Sequence, residues 1–152
     1  PDVHLIDLAT GARTKYAVGT PLGSAAGVSP DGRWLAATTK LGRLWLWDRA
    51  AGRGGLLDTT PPGPRPALFT QREIRFSAAS DRLVAPPDTY YLYLRDLVTG
   101  EARWSEPHDG YTRRTAFSND GDLVISVGGD SNVGVWHIPT EAAYKLVSAR
   151  TH

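Results

Sequence analysis

No cysteine occurs among the 152 residues. That excludes disulfides, a thiolate nucleophile and any Cys-ligated metal, and leaves the redox compartment open. Neither sign of charge is in excess. Lys and Arg number 17 against 16 Asp and Glu, a net charge of +1, and the basic residues are scattered. Nucleic acid is therefore not an expected partner. No apolar run approaches the roughly 20 residues needed to cross a bilayer. No charged n-region followed by an apolar h-region opens the chain, so no membrane segment is expected. Apolar residues nowhere sustain a 3.6-residue period, which predicts almost no helix. His4, His137 and His152 lack companions at metal-ligand spacing. No helix is expected after Gly128-Gly129-Asp130, as a phosphate loop would require. Neither a metal nor a cofactor is expected.

What the chain does have is a repeat. Ile6-Asp7, Trp47-Asp48, Arg95-Asp96 and Trp136-His137 follow one another at spacings of 41, 48 and 41 residues. Val28-Ser29, Phe76-Ser77 and Phe117-Ser118 keep the same step. Asp31-Gly32 and Asp120-Gly121 then stand where a hairpin turn belongs, with Ser80-Asp81 in the middle copy. Short apolar or alternating runs at 34–38, 82–85 and 123–127 read as one strand type, and those at 43–47, 91–94 and 133–136 as the next. Small turns with Gly11, Gly52 and Gly100 follow the two-residue landmark, and Pro139-Thr140-Glu141 takes that place in the last copy.

A period near 40 residues ending in Trp-Asp points to repeated four-stranded units. The expected division is a half unit at 1–22, strands 3–6 and 13–18, then units at about 23–66, 67–107 and 108–152. The extra length of the 48-residue step falls in the Pro-rich stretch 59–66, which must be a loop. The fold class expected is all-β.

With these landmarks in hand, the chain resembles the WD-repeat β-propellers over nearly its whole length. The resemblance implies blades of four antiparallel strands in an incomplete ring. It also implies a buried polar tetrad, whose members fall on His108, Ser126, Asp130 and Trp136 in the last unit. Asp130 would accept from the imidazole, the imidazole would link to the hydroxyl, and the hydroxyl to the indole. The second unit has Gly19 and Leu41 at the His and Asp positions. The third has Ala67 and Thr89 there, and Arg95 for the Trp. Those units are expected to hold by apolar packing alone. The chain opens at Pro1 in mid-repeat, and three and a half units fall short of a closed ring. It therefore reads as a piece of a longer propeller, or as one whose ends other blades or chains cover.

No catalytic residue is expected. His108, Ser126 and Asp130 could be read as a catalytic set, but the tetrad buries them. Ser24 lacks the G-x-S-x-G spacing of a nucleophile elbow. Asp31, Asp81 and Asp120 fit hairpin turns on the lower rim. The function implied is a protein- or peptide-binding scaffold in a cytoplasmic setting, with its partner on the top face. Arg65, Tyr90, Tyr91, Tyr111, Arg113 and Arg114 are the residues expected to meet it, since aromatic and Arg side chains are enriched at interfaces. Two alternatives are a sensor or regulatory propeller of a larger signalling enzyme and, less favoured, a propeller hydrolase or lyase.

Overall fold

A computed structural model describes residues 1–59, 73–85, 91–105, 108–109, 112–140 and 142–146. Among these, all regular structure is β apart from one 3₁₀ turn, Ile138–Thr140. Strands β1 (Asp2–Ile6) and β2 (Arg13–Ala17) form a two-stranded sheet. Strands β3 (Leu22–Val28), β4 (Trp34–Thr39), β5 (Leu44–Asp48) and β6 (Arg53–Leu57) form the first four-stranded sheet. The second holds β7 (Arg75–Phe76), β8 (Arg82–Ala85), β9 (Leu92–Asp96) and β10 (Ala102–Ser105). The third holds β11 (Thr112–Phe117), β12 (Leu123–Gly128), β13 (Val133–His137) and β14 (Ala142–Leu146). Each is an antiparallel meander in chain order, so the expected all-β, propeller-like architecture is present without a closed ring. The Pro-rich loop expected at 59–66 lies outside the described residues beyond Thr59.

Two recurring turns space the strands. In the first, the Asp that ends three of the four landmark pairs bends the chain back. Asp7 Oδ1 accepts the amides of Ala9 and Thr10, Asp48 Oδ1 those of Ala50 and Ala51, and Asp96 Oδ1 those of Val98 and Thr99. Such Asx geometry closes a turn with the side chain's own acceptor. In the second, a Ser hydroxyl accepts the amide five residues on: Ser29 from Trp34, Ser77 from Arg82 and Ser118 from Leu123. The same hydroxyls donate to Asp31, Asp81 and Asp120.

The middle copy differs by one place from the sequence expectation. Gly32 and Gly121 have φ of 71° and 79°, and Ser80 occupies their position with φ 61°. Ala79 therefore fills the site of Asp31 and Asp120, and Asp81 stands two residues after it. The hairpin is kept, because the carboxylate still reaches the Ser hydroxyl.

Alternation along β4, β8 and β12 sorts side chains between neighbouring sheets. Leu35 and Ala37 meet Tyr16, Val18, Val3 and Leu5 of the two-stranded sheet. Ala36, Leu44 and Leu46 pack with Leu83, Ala85 and Tyr93 of the next sheet. Val84, Leu92 and Leu94 pack in turn with Val124, Trp136 and Ile138. The first strands of the three larger sheets, β3, β7 and β11, lie beside one another. The corresponding outward residues of the last sheet are not covered: Ile125 is 40% exposed, and Val127 is also exposed.

Apolar contact is not the whole of the join between sheets, contrary to the expectation for the second and third units. Glu73 is buried and takes the Thr115 amide of β11 at 2.8 Å. Arg75 pairs with it from its own sheet, and Arg114 Nη1 approaches it at 3.7 Å from the neighbouring one. The turn ends are laced as well. Ser80 Oγ accepts the Asp31 amide, and the guanidinium of Arg82 donates to the Gly121 carbonyl at 2.7 Å.

Candidate functional site

β12 and β13 run antiparallel, with Ser126 opposite Gly134 and Val124 opposite Trp136. Ser126 therefore points to the face that meets the preceding sheet, and the glycine across from it leaves room. The side chain of His108 lies buried on that face, fully shielded from solvent. His108 Nδ1 lies 3.0 Å from Asp130 Oδ1, and its Nε2 lies 3.0 Å from Ser126 Oγ. A carboxylate can only accept, so the Nδ1 proton points to Asp130, and in the neutral ring Nε2 accepts from the hydroxyl. Asp130 sits in the turn after β12. It also accepts the amides of Asp109 and Asn132, at 3.2 and 3.1 Å, which fixes its carboxylate toward the ring.

Gly128, at the end of β12, is a member of this cluster that the residue types alone did not single out. A Cβ built there would lie 2.5 Å from His108 Cγ and 2.7 Å from Asp130 Oδ1. No side chain fits where the imidazole rests. The Gly128-Gly129-Asp130 run was the available signal: a small residue two positions before the carboxylate makes space for its partner.

Trp136 does not join the hydrogen-bonded set. It is buried, 3% exposed, but no hydrogen bond links its indole to Ser126. The register gives the reason. Trp136 stands opposite Val124, two places along from Gly134, and its ring packs with Val84, Leu92 and Leu94 of the adjacent sheet. The structure thus brings His108, Ser126 and Asp130 together and leaves Trp136 as a core side chain beside them.

The other sheets fill the same space by a different route. Ala37 and Ala85 hold the Ser126 position, and Trp45 and Tyr93 stand opposite them where the last sheet has Gly134. An aromatic over alanine replaces an imidazole over serine and glycine. In the first four-stranded sheet no hydroxyl is then buried at that point needing an acceptor, whereas in the second the Tyr93 hydroxyl is buried there.

Of the residues expected to meet a partner, Arg65, Tyr90 and Tyr111 lie outside the described residues. Tyr91 is buried at 7% exposure, its ring edge-on to Trp104 at 6.2 Å, so it belongs to the packing rather than to a free surface. Arg113 and Arg114 are both exposed. Alternation would expose one of them, but a bulge between Thr112 and Arg114 breaks it, leaving Arg113 as the extra residue. Arg114 is drawn to Glu73, as described above.

Among the described residues no group of His, Asp and Glu is arranged to hold a metal ion. No helix there is long and apolar enough to cross a membrane. No protein-family model matches the chain, and no curated protein matches it either.

Proposed function

We propose that the chain is part of a WD-repeat β-propeller that serves as a protein- or peptide-binding scaffold and has no catalytic activity of its own. The observation that carries this reading is how the Ser/His/Asp set is used. Both ring nitrogens of His108 are engaged inside the sheet, and its side chain has no exposed surface. A general base must reach a proton on its substrate, and this one reaches only Ser126 and Asp130. The two repeated turns support the family reading, since the Asp of the landmark closes the outer hairpin by the same bonds at Asp7, Asp48 and Asp96. The partner-facing surface is the end of the sheets at which β11 begins, where the bulge presents Arg113.

The test places a photo-crosslinking residue at Arg113 and, in a second protein, at Asp120 on the opposite rim. A partner captured at 113 and not at 120, and competed by unlabelled chain, supports the assignment. Capture at 120 alone moves the binding face to the lower rim. Turnover of an ester, peptide or glycoside substrate that Ser126→Ala abolishes would overturn the non-catalytic reading.

A further inference from the structure

A cleft of about 320 Å³ opens between β6 of the first four-stranded sheet and the turn after β9 of the second. Its shape follows from one missing side chain. Gly54 and Gly55 are neighbours on β6 but face opposite ways, paired with Trp47 and Leu46 respectively. A Cβ on Gly54 would strike the Trp47 ring, whereas one on Gly55 would meet nothing within 4 Å. Gly55 looks toward the second sheet and leaves the space empty.

Arg95 enters that space from β9, at the position where the neighbouring sheets carry Trp47 and Trp136. It is one of three half-buried arginines among the described residues, with Arg82 and Arg103. Arg82 donates to the Gly121 carbonyl and meets Asp122, and Arg103 donates to the Ile138 carbonyl and meets Glu101. Arg95 has no such carbonyl or carboxylate among the described residues. Beside it lies the buried Tyr93 hydroxyl, toward which the Arg95 guanidinium is directed, with the Asp58 carboxylate also within electrostatic reach of that hydroxyl. Arg53 adds a second guanidinium to the same cleft. Of the two acids on its wall, Asp48 is matched by the two-pronged Arg33, and Asp96 Oδ1 is occupied by turn amides. Trp34, Leu56 and Leu97 supply apolar wall around these charges.

We propose that this cleft takes an acidic side chain carried on an extended peptide, with Arg95 as the carboxylate anchor and the aliphatic neighbours of that acid against Leu56 and Leu97. A peptide is favoured over a free anion for two reasons. The cleft runs along five consecutive residues of β6, Arg53–Leu57, the outermost strand of its sheet. Its wall mixes apolar carbon with the two cations, which suits a carboxylate on an aliphatic body. The site is separate from the surface at Arg113, so its test does not depend on that assignment.

The experiment uses the full 152-residue chain and a labelled, acetylated Leu-Glu-Leu-Glu-Leu peptide, read by fluorescence anisotropy. The Gln counterpart should bind at least about tenfold more weakly, and Arg95→Gln should weaken the Glu peptide by a similar factor, as loss of a charge-assisted pair requires. Gly55→Val fills the open space and should abolish binding with the melting temperature unchanged. Succinate and inorganic phosphate should displace the peptide only at far higher concentration. Equal binding of the Glu and Gln peptides, indifference to Arg95→Gln, or binding that survives Gly55→Val would overturn the proposal. Displacement by phosphate or succinate at the peptide's own concentration would also overturn it, by making the cleft a free-anion site.

Discussion

Asp48 accepts the Ala50 and Ala51 amides while Arg33 grips both of its oxygens, at 3.0 and 2.7 Å. The Arg33 bonds, helped by those amides against the opposing effect of burial, hold its carboxyl down to about 2. The Ser29 and Ser118 hydroxyls likewise lower Asp31 and Asp120. A carboxyl depressed in the folded state takes up its proton more readily when unfolded, where its value is about 3.9. The stability Asp48 supplies is therefore complete above about pH 4 and drains away as the pH falls toward 2. Urea midpoints measured from pH 5 down to 2.5 should fall more steeply for the native chain than for Asp48→Asn; parallel curves would contradict this. At Asp130 the effect is one of satisfaction rather than titration. Asp130→Ala strips the acceptor from the buried His108 ring and from two amides, at a cost of roughly 1–3 kcal/mol. Thermal melts should show a clear drop, and an unchanged midpoint would mean that the carboxylate does not hold the ring.

At the scale of the strand, position relative to the neighbouring sheet decides which residue is tolerated. Gly54→Ala would set a methyl within 2.3 Å of the Trp47 ring and 2.5 Å of the Leu46 carbonyl oxygen. Backbone must move to relieve it, so a loss of about 1–3 kcal/mol is expected. Gly55→Ala one residue away meets open space and should be neutral or slightly stabilising. Equal melting temperatures for the two variants would contradict the register. This alternation was only partly legible in the sequence. Strands 34–38 and 82–85 were visible because short apolar runs stand between turn residues, and their repeat phase reinforced them. The register was not visible, so nothing in the residue types told Gly54 from Gly55, or placed Trp136 beside Val124 rather than on Ser126. The Glu73 link also escaped, because a buried carboxylate gives no periodic signal and its acceptor role depends on an amide 42 residues away. His108, Ser126 and Asp130 were legible as a set because repeat phase, rather than proximity in the chain, tied them together. The Arg113 bulge was not, since bulges break the alternation from which exposure is read.

Across the whole molecule one construction is repeated with two different fillings. Each larger sheet offers one apolar face backward and one forward, and the packing passes along the chain from Tyr16 to Trp136. Within that series the first two larger sheets bury an aromatic over alanine, and the last buries His108 over Ser126. On the proposed reading the same three residue types that would make a hydrolase site act as a structural fastening, and the scaffold reading rests on that distinction. Chemical accessibility separates the two roles. Diethyl pyrocarbonate acylates exposed imidazoles, and His4 is exposed where His108 is 2% exposed. Mass spectrometry of the native chain at neutral pH should find His4 modified while His108 stays intact until urea is added. Modification of His108 at the rate of His4 in the folded chain would show an open, reactive imidazole and contradict the structural role assigned to it.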